Sequence, residues 1–588
     1  MPDVIESIDA AGGASTTYTL AIGQTAQGSI STLGDHDWFR VDLVAGQTYT
    51  FALVGTGSSG VRDPLLSLRG PDGTTIVASN DDGLPNNNSV FTYTATVTGT
   101  YYIDVGAFNN GGAGQYGVSV AAGSRATVDA QMGAGIIDAY TASGDFEFSW
   151  SATPGTGATV TVGFRLTNDG LEPNFSQFTP QQMAAVLAIL QYYSDVCGLT
   201  FNVVNPGGYT DNATILLSNY SEDDSSGGYA QYPGSTAAND QAGNIHINAF
   251  ENSTTSLPLG SYEFFTLMHE IGHAVGLSHP GLYNAGSGQV ITYATHAQFT
   301  QDTHQYTVMG YFDESNTTTS FGSYPDTLML YDIYALQQIY GVNTATRSGN
   351  TIYGFNSTAG GVYDFTINTD PALCIWDGGG IDTLDCSGYS NSQIISLVAG
   401  TFSNIGGFSG NVSIAIGAVI ENAVGGAGAD TITGNDANNV LDGKGGNDTI
   451  NGGAGIDTVD YSWTTTGVSV NLSAASNQAV GSQSGTDQIS NVENVNGGSG
   501  ADTLIGNSAN NVLDGRGGDD YMVGGGGNDI YFVGSIGDEV VENSGQGDDI
   551  VYASVDYTLG ANVESIVAHG AGHITLVGNS LNNVIHPQ

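Results

Sequence analysis

Three histidines and a glutamate stand in the stretch LMHEIGHAVGLSHP (267–280), at a spacing that suits a metal ion with a base beside it. On a helix, side chains four residues apart share a face, so His269 and His273 present two imidazoles to one ion while Glu270 projects alongside. Gly276 can take the left-handed conformation that ends a helix, which turns the chain back and delivers His279 as a third ligand. A fourth position is left for water. Three neutral histidines leave a zinc ion net positive and its water acidified, and Glu270 then accepts the proton as that water attacks a carbonyl. A bare HExxH arises often by chance, whereas the extended HExxHxxGxxH pattern is far more specific.

Such a site needs a scaffold. Phe264, Leu267, Met268, Ile271 and Val275 recur at three- and four-residue intervals, which gives the metal helix an apolar side to bury. Upstream, Thr179 caps a backing helix with Pro180 in its first turn and Met183, Val186, Leu187 and Leu190 along one side. Strand-like runs follow at ATILLSNY (213–220), GYAQYPG (228–234) and NIHINAF (244–250). GYAQYPG is read as the sheet edge, to which an extended polypeptide adds itself as a strand. Residues 130–345 thus read as an α+β catalytic domain that hydrolyses internal peptide bonds.

The chain has 588 residues, enough for several domains with cores of their own. Its 57 acidic residues against 8 Lys and Arg, a formal charge of -49, exclude electrostatic binding to nucleic acid or anionic membrane. No run of about 18 apolar residues argues for a membrane span. The acidic excess suits both a soluble surface and calcium, a hard cation that takes oxygen ligands. Cys197, Cys374 and Cys386 are too few for a disulfide framework, so metal rather than sulfur is the expected stabiliser; whether Cys374 and Cys386 pair is left open. The N-terminal MPDVIESIDAAGG has neither a basic nor an apolar segment, so no ordinary cleaved signal peptide is expected there.

Residues 1–125 read as short strands broken by turn residues: TYTLAIG, DWFRVDL, TYTFALVG, PLLSLRG, SVFTYTATV, TYYIDVG and QYGVSV. Period-two alternation with β-branched and aromatic content predicts a β-sandwich. Asp63, Asp81 and Asp82 there are either calcium ligands or solvated turn acids, with equal weight.

From 346 to 588 a nine-residue period takes over. Units begin at Gly425, Gly434, Gly443 and Gly452, and again at Gly497, Gly506, Gly515 and Gly524. Position six reads Asp430, Asn439, Asp448 and Asp457, then Asp502, Asn511, Asp520 and Asp529; position eight is apolar or aromatic throughout. This predicts a parallel β-roll: glycines turn, position six meets calcium between stacked turns, and position eight fills the interior. With each unit as half a coil, Asp430 shares an ion with Asp448 and Asp502 with Asp520. Asn439 and Asn511 carry no charge, so the sites they share with Asp457 and Asp529 are expected to be weaker.

Two resemblances add to this. GDHDWFRVDLVAGQTYTF (34–51), DPLLSLRGPDG (63–73), NDD (80–82) and GTYYIDV (99–105) resemble the bacterial pre-peptidase C-terminal domain, placed here in front of the catalytic domain. Residues 130–588 resemble the serralysin group of metzincin peptidases. The likeness is carried by SDVCGLTF (194–201), the metal motif with HPGLYNAGSG (279–288), QDTHQYTVMGYF (301–312), RSGNTIYGFNS (347–357), CIWDGGGIDTLDCSGY (374–389) and the repeats. It implies zinc on His269, His273 and His279, Glu270 as base, Met309 in a turn beneath the metal, and Tyr311 as a switchable ligand that stabilises the oxyanion. It also implies a calcium site joining the domains on Arg347, Gly349, Thr351, Asp377, Gly379 and Asp382, with Asn350 standing where an aspartate is expected. Export by a one-step route to the outside is implied too, although GNSLNNVIH (578–586) begins a further repeat rather than an apolar tail.

The expectation is therefore a multidomain, monomeric, secreted zinc endopeptidase stabilised by several calcium ions. The alternative is a calcium-dependent extracellular matrix or polysaccharide-binding surface protein with secondary proteolysis. A blocking role for residues 1–125 cannot use a thiolate on zinc, because that segment has no cysteine.

Overall fold

The structure, a computed structural model, describes residues 3–7, 10–57, 59–110, 112–138, 148–234, 241–285, 289–570 and 573–586. Residues 1–2 and 8–9 of the N-terminal stretch and 286–288 of HPGLYNAGSG lie outside the described residues. Contacts group the chain into one unit of Met1–Thr346 with Ala372–Trp376 and a second of Arg347–Pro371 with Asp377–Gln588.

In the first unit, two sheets share one core. One is ordered Val4–Ile5, Thr25–Ile30, Gly114–Ala122, Thr48–Gly55, Ser89–Thr94; the other Asp37–Leu43, Gly99–Ala107, Pro64–Arg69, Ile76–Asn80. Phe39, Leu66, Ile103 and Val105 from one meet Phe51, Tyr116 and Val118 from the other in a single buried cluster, as alternating inward residues of facing sheets do. The expected strand TYTLAIG is a correction: it makes only an isolated bridge, Thr19 to Arg40, and the strand falls at Thr25–Ile30. The polar wording of TAQGSI hides an inward Ala26 and Ile30, both buried, while Ile22 of the expected strand is exposed.

A second sheet system follows, ordered Leu199–Val203, Ala158–Phe164, Ile215–Tyr220, Ile245–Asn248, Gly228–Ala230. Its first four strands run parallel, and Gly228–Ala230 runs antiparallel along the edge. The helix Pro180–Val196 opens with a reciprocal cap: Gln182 N–H donates to Thr179 Oγ1 at 3.2 Å and Thr179 N–H to Gln182 Oε1 at 3.0 Å. Met183, Val186 and Leu190 are buried as expected, whereas Leu187 is 40% exposed and Ile189 and Tyr193 take the inward face instead. The helix Ala130–Ile137, capped by Asp129, was not anticipated from its alanine- and glycine-rich wording.

The second unit is dominated by an eleven-stranded sheet that is parallel throughout and a nine-stranded one that is parallel except at Ala479–Gly481, which runs antiparallel to both of its neighbours. Pairing runs eighteen residues apart, Thr431 with Thr449 and Val440 with Thr458, so two nonapeptides make one coil. Ile432, Leu441, Ile450, Val459, Leu504, Leu513, Met522 and Tyr531 are all fully buried between the faces. Thr458 pairs with Asn494, which makes the two repeat blocks one continuous roll despite the intervening hairpin strands at 468–490. Cys197, Cys374 and Cys386 are all buried, and none of them forms a disulfide.

Candidate active site and metal centres

The metal helix is Tyr262–Ala274. Ser261 Oγ accepts the Phe264 N–H at 3.2 Å, and Glu263 sits in the first turn, where a negative charge opposes the helix dipole favourably. At the other end Gly276 has φ 107°, and the N–H groups of Gly276 and Leu277 donate back to His273 and Gly272 carbonyls at 3.1 and 2.9 Å. Three side chains satisfy carbonyls nearby: Tyr193 to Met268 (2.7 Å), Trp150 to Ala274 (2.8 Å) and Tyr340 to Val275 (2.7 Å). The helix end is therefore held, and the chain leaves it in the direction that brings His279 round.

A Cβ on Gly276 would stand 2.1 Å from the Phe148 carbonyl oxygen, at a φ that side chains rarely adopt. Gly276→Ala is accordingly expected to displace the loop carrying His279 and weaken zinc binding by about 10–100-fold. Titration against a chelating dye reads this; unchanged affinity would contradict it.

The three imidazoles converge. His279 Nε2 lies 3.1 Å from His269 Nε2 and 3.0 Å from His273 Nε2. Each Nδ1–H donates to a backbone carbonyl, His269 to Val308 (2.8 Å), His273 to Leu277 (2.7 Å) and His279 to Tyr283 (3.0 Å). A carbonyl only accepts, so the proton is on Nδ1 and every Nε2 carries a lone pair. Burial lowers all three histidines, His269 to about 4 and His273 to about 3, so they are neutral. Three lone pairs facing one another at about 3 Å have no hydrogen to share, and a cation resolves that; the neutral nitrogen set fits zinc.

Glu270 is buried beside them, with Oε2 free of any hydrogen-bond partner and its pKa pushed up to about 8 by burial in the metal-free site. Met309 is fully buried, and its sulfur lies where a Cβ on Gly272 would be, 2.5 Å away, so the methionine packs directly under the helix. Tyr311 stands with its ring centroid 4.6 Å from that of His279 and its hydroxyl donating to Asn284 Oδ1 at 3.5 Å. Two clefts, of about 620 and 380 Å³, meet at His269, Glu270 and Tyr311, and the edge strand Gly228–Ala230 borders both at Gly228.

Supporting residues absent from the sequence reading are as well placed. The buried Asp332 carboxylate accepts from Thr307 Oγ1 (2.6 Å), Val308 N–H (2.8 Å) and Met329 N–H (2.9 Å), which pins the turn that carries Met309. Tyr283 donates to Asp302 at 2.7 Å and offers its carbonyl to His279. Asp332 stands outside every quoted motif, and a lone aspartate of that kind gives no signal in a single sequence, whereas Asp302 and Tyr283 lie within quoted stretches and gain their roles only from the contact between them.

In the second unit, the residues expected to hold calcium form ladders. Asp448 Oδ1 accepts the Asp430 N–H, Asp457 the Asn439 N–H, Asp520 the Asp502 N–H and Asp529 the Asn511 N–H, at 2.7–2.8 Å. The other oxygens of Asp448, Asp457, Asp520 and Asp529 are buried without a partner. They sit against Gly443, Gly452, Gly515 and Gly524, where an added Cβ would fall within 2.4 Å. Orphaned carboxylate oxygens in glycine cradles fit a hard cation. Asp430 and Asp502 differ, since both of their oxygens already accept N–H groups, from Gln393 and Gly426 and from Val468 and Gly498. The sequence reading missed Asp487, Asp538, Asp549 and Glu493, which continue the ladders, and Glu542, which clusters with Asp529 and Asp549.

The six residues around 347–382 also come together, all in the second unit. Thr351 Oγ1 donates to the Gly349 carbonyl at 2.8 Å and its N–H to Asp382 Oδ1 at 2.7 Å, while Gly379 N–H donates to Asp377. Asp382 Oδ2 has no partner, and burial and then the neighbouring Asp377 and Glu421 charges raise Asp382 to about 7. Asn350 caps Ile381 N–H at 3.1 Å. In the sandwich, Asp63 is raised by burial and by the nearby Asp82 and Asp81 charges, so that trio too is close.

Comparison with known proteins agrees with these parts. Residues 342–451 match the peptidase M10 serralysin C-terminal family, 35–107 the bacterial pre-peptidase C-terminal domain, and 496–531 the RTX calcium-binding nonapeptide repeat. Metallopeptidase AprA of Pseudomonas marginalis is 44% identical over 275 residues, 45% of this chain and 56% of that one. Serralysin B of Dickeya chrysanthemi is 41% identical over 265 residues, 44% and 54% of the two chains. Serralysin of Proteus mirabilis is 40% identical over 275 residues, 45% and 56%. The chain spans about half the length of the curated relatives it matches, and over that half it is similar to serralysins, with zinc and several calcium ions as the metals the matches imply.

Proposed function

We propose that this chain is a secreted, calcium-stabilised zinc endopeptidase that cleaves internal bonds of polypeptides bound as an extended strand. The observation that carries the reading is the convergence of the His269, His273 and His279 Nε2 lone pairs next to the buried, unpartnered Glu270 carboxylate.

A zinc ion held there supplies Lewis acidity, lowering the pKa of water and polarising a carbonyl. Glu270 acts as general base, taking a proton from the attacking water and returning it to the leaving amine. Burial of the carboxylate serves this, because it excludes competing solvent and strengthens the interaction with the transferred proton. Gly228–Ala230, with one side unpaired in the sheet, offers backbone groups to an extended substrate. Tyr311 leaves Asn284 to donate to the oxyanion, and Met309 supports the histidines from below. Zinc binds His269, His273 and His279. Calcium is held by Arg347, Gly349, Thr351, Asp377, Gly379 and Asp382, and in the roll by Asp430, Asp448, Asp457, Asp502, Asp520 and Asp529. The domains are 1–125, 130–345 and 346–588, and the protein works as a monomer outside the cell, where calcium is plentiful. Among the described residues no helix is long and apolar enough to cross a membrane.

The test is cleavage of an unfolded protein such as casein. Hydrolysis should stop when zinc is stripped and return with stoichiometric zinc at constant calcium; persistence in the zinc-free protein would contradict the reading.

A further inference from the structure

One wall of the smaller cleft comes from outside the catalytic domain. On the His279 side of the metal site, the cleft of about 380 Å³ is bounded by Ala230 and Tyr232, by Leu282, and by Pro85 and Asn86. The last two lie in the turn between the sandwich strands Ile76–Asn80 and Ser89–Thr94. We infer that Pro85 and Asn86 complete, with Tyr232 and Leu282, a subsite for an apolar side chain of the substrate, so that the N-terminal sandwich sets specificity. The inference rests on the peptidase reading above and adds where and what the cleft selects.

The wall is rigid. Asn88, buried at the base of the turn, donates to the Pro85 carbonyl at 2.9 Å and accepts the Gly55 N–H at 3.0 Å, while the N–H groups of Gly83 and Leu84 both donate to its carbonyl at 2.8 Å. A surface held in this way loses little freedom when a substrate binds.

The wall is also fixed relative to the metal ligands. Asn86 Nδ2 donates to the Ile136 carbonyl at 2.7 Å and to the Asp138 carbonyl, at the end of the helix Ala130–Ile137. Ser278, directly before His279, donates its N–H to the Ile137 carbonyl at 2.6 Å and its hydroxyl to the Ile136 carbonyl at 3.3 Å. One short piece of backbone thus anchors the sandwich turn on one side and the loop of the third histidine on the other.

The lining sets the chemistry. Glu270 is its one carboxylate, and no Lys or Arg borders it among the described residues. An acidic substrate side chain would meet no cationic side chain there and would face the Glu270 carboxylate, whereas an apolar one loses only water. The edge strand leads straight into this space, because Gly228, Tyr229 and Ala230 line it in succession.

The experiment profiles hexapeptides varied one position at a time with Leu, Gly, Asp or Lys. Wild type should favour Leu over Asp by about tenfold or more in kcat/KM at the one position that reaches this wall. The double variant Pro85→Ala, Asn86→Gly should bring that ratio near unity and leave the ratios at other positions within about twofold. Glycine suits position 86, where φ is 60°, so the backbone is not strained by the change. Ratios that stay put, or that collapse at every position together, would overturn the inference, the latter marking a purely structural role. The same peptides, fluorescently labelled, are titrated against zinc-loaded Glu270→Gln protein with and without the double change. If wild type cleaves nothing while the Leu preference in binding depends on Pro85 and Asn86, the peptidase reading fails and the subsite stands. Cleavage with an unmoved preference means the reverse.

Discussion

Replacing Glu270 by glutamine is expected to lower kcat by about 10²–10⁴-fold while zinc stays bound at one per chain, the range that loss of a positioned proton acceptor produces. The two side chains have nearly the same shape, and Glu270 Oε2 has no hydrogen-bond partner to lose, so the substitution leaves the surrounding packing intact. What it removes is the capacity to take a proton. The three histidines keep their Nδ1 donations to Val308, Leu277 and Tyr283, none of which involves residue 270, and the metal site persists. Because Glu270 is buried, a glutamine there does not recruit bulk solvent as a substitute base. Paired kcat and metal analysis checks this. Activity within tenfold of wild type, with zinc retained, would remove Glu270 from its assigned role.

The second large effect concerns calcium and pH. Burial, reinforced by neighbouring carboxylates, raises Asp448, Asp520 and Asp382 to about 7, and Asp487 and Asp529 to about 6, in the calcium-free roll. Glu542 is likewise raised to about 7, again chiefly by burial. These folded-state values lie above those of the unfolded chain, so between about pH 4 and pH 7 the folded form holds protons that the unfolded form has released. Their stabilising effect is complete below about pH 4 and is lost as pH rises through 6–7. Calcium-free protein should therefore melt at progressively lower temperature from pH 4 to pH 7.5. With millimolar calcium the trend should reverse, since the ion replaces those protons and binds the ionised carboxylates more tightly as pH rises. At pH 7.5 calcium should raise the roll's melting temperature by on the order of 10 °C or more. Calorimetry with and without calcium across this range checks both slopes; a calcium-free roll that grows more stable toward neutral pH would contradict the assignment of these oxygens as cation ligands.

How much of this was legible in the sequence depended on whether a feature is local or tertiary. The metal helix was, because its ligands lie within eleven residues and Gly276 has to be left-handed for His279 to return. So was the roll, because the interior residue keeps one phase through eight units and all eight are buried. Where the phase breaks, the reading stopped short: the hairpin insertion and the irregular turns after it put Asp487, Asp549 and Glu542 outside any nine-residue frame, and Asp538 keeps the phase in a unit that opens on Val533 instead of glycine, although all belong with the same ladders. Nor did the period distinguish Asp430 and Asp502, whose oxygens are both taken by backbone N–H groups, from the aspartates with an orphaned oxygen. The sandwich showed the opposite failure. TYTLAIG looks like a strand by composition, yet the polar TAQGSI forms one because its backbone meets Gly114–Ala122 along its whole length. Asp332 beneath the metal turn, and Pro85 and Asn86 at the cleft, gain their roles only from chain segments that folding brings to them.

The most direct measurement is diffraction at the zinc absorption edge from crystals grown with equimolar zinc. One strong anomalous peak should lie among the Nε2 atoms of His269, His273 and His279, at about 2.0–2.1 Å from each. Rings turned away from one another around a site without anomalous density, with zinc supplied, would contradict the account.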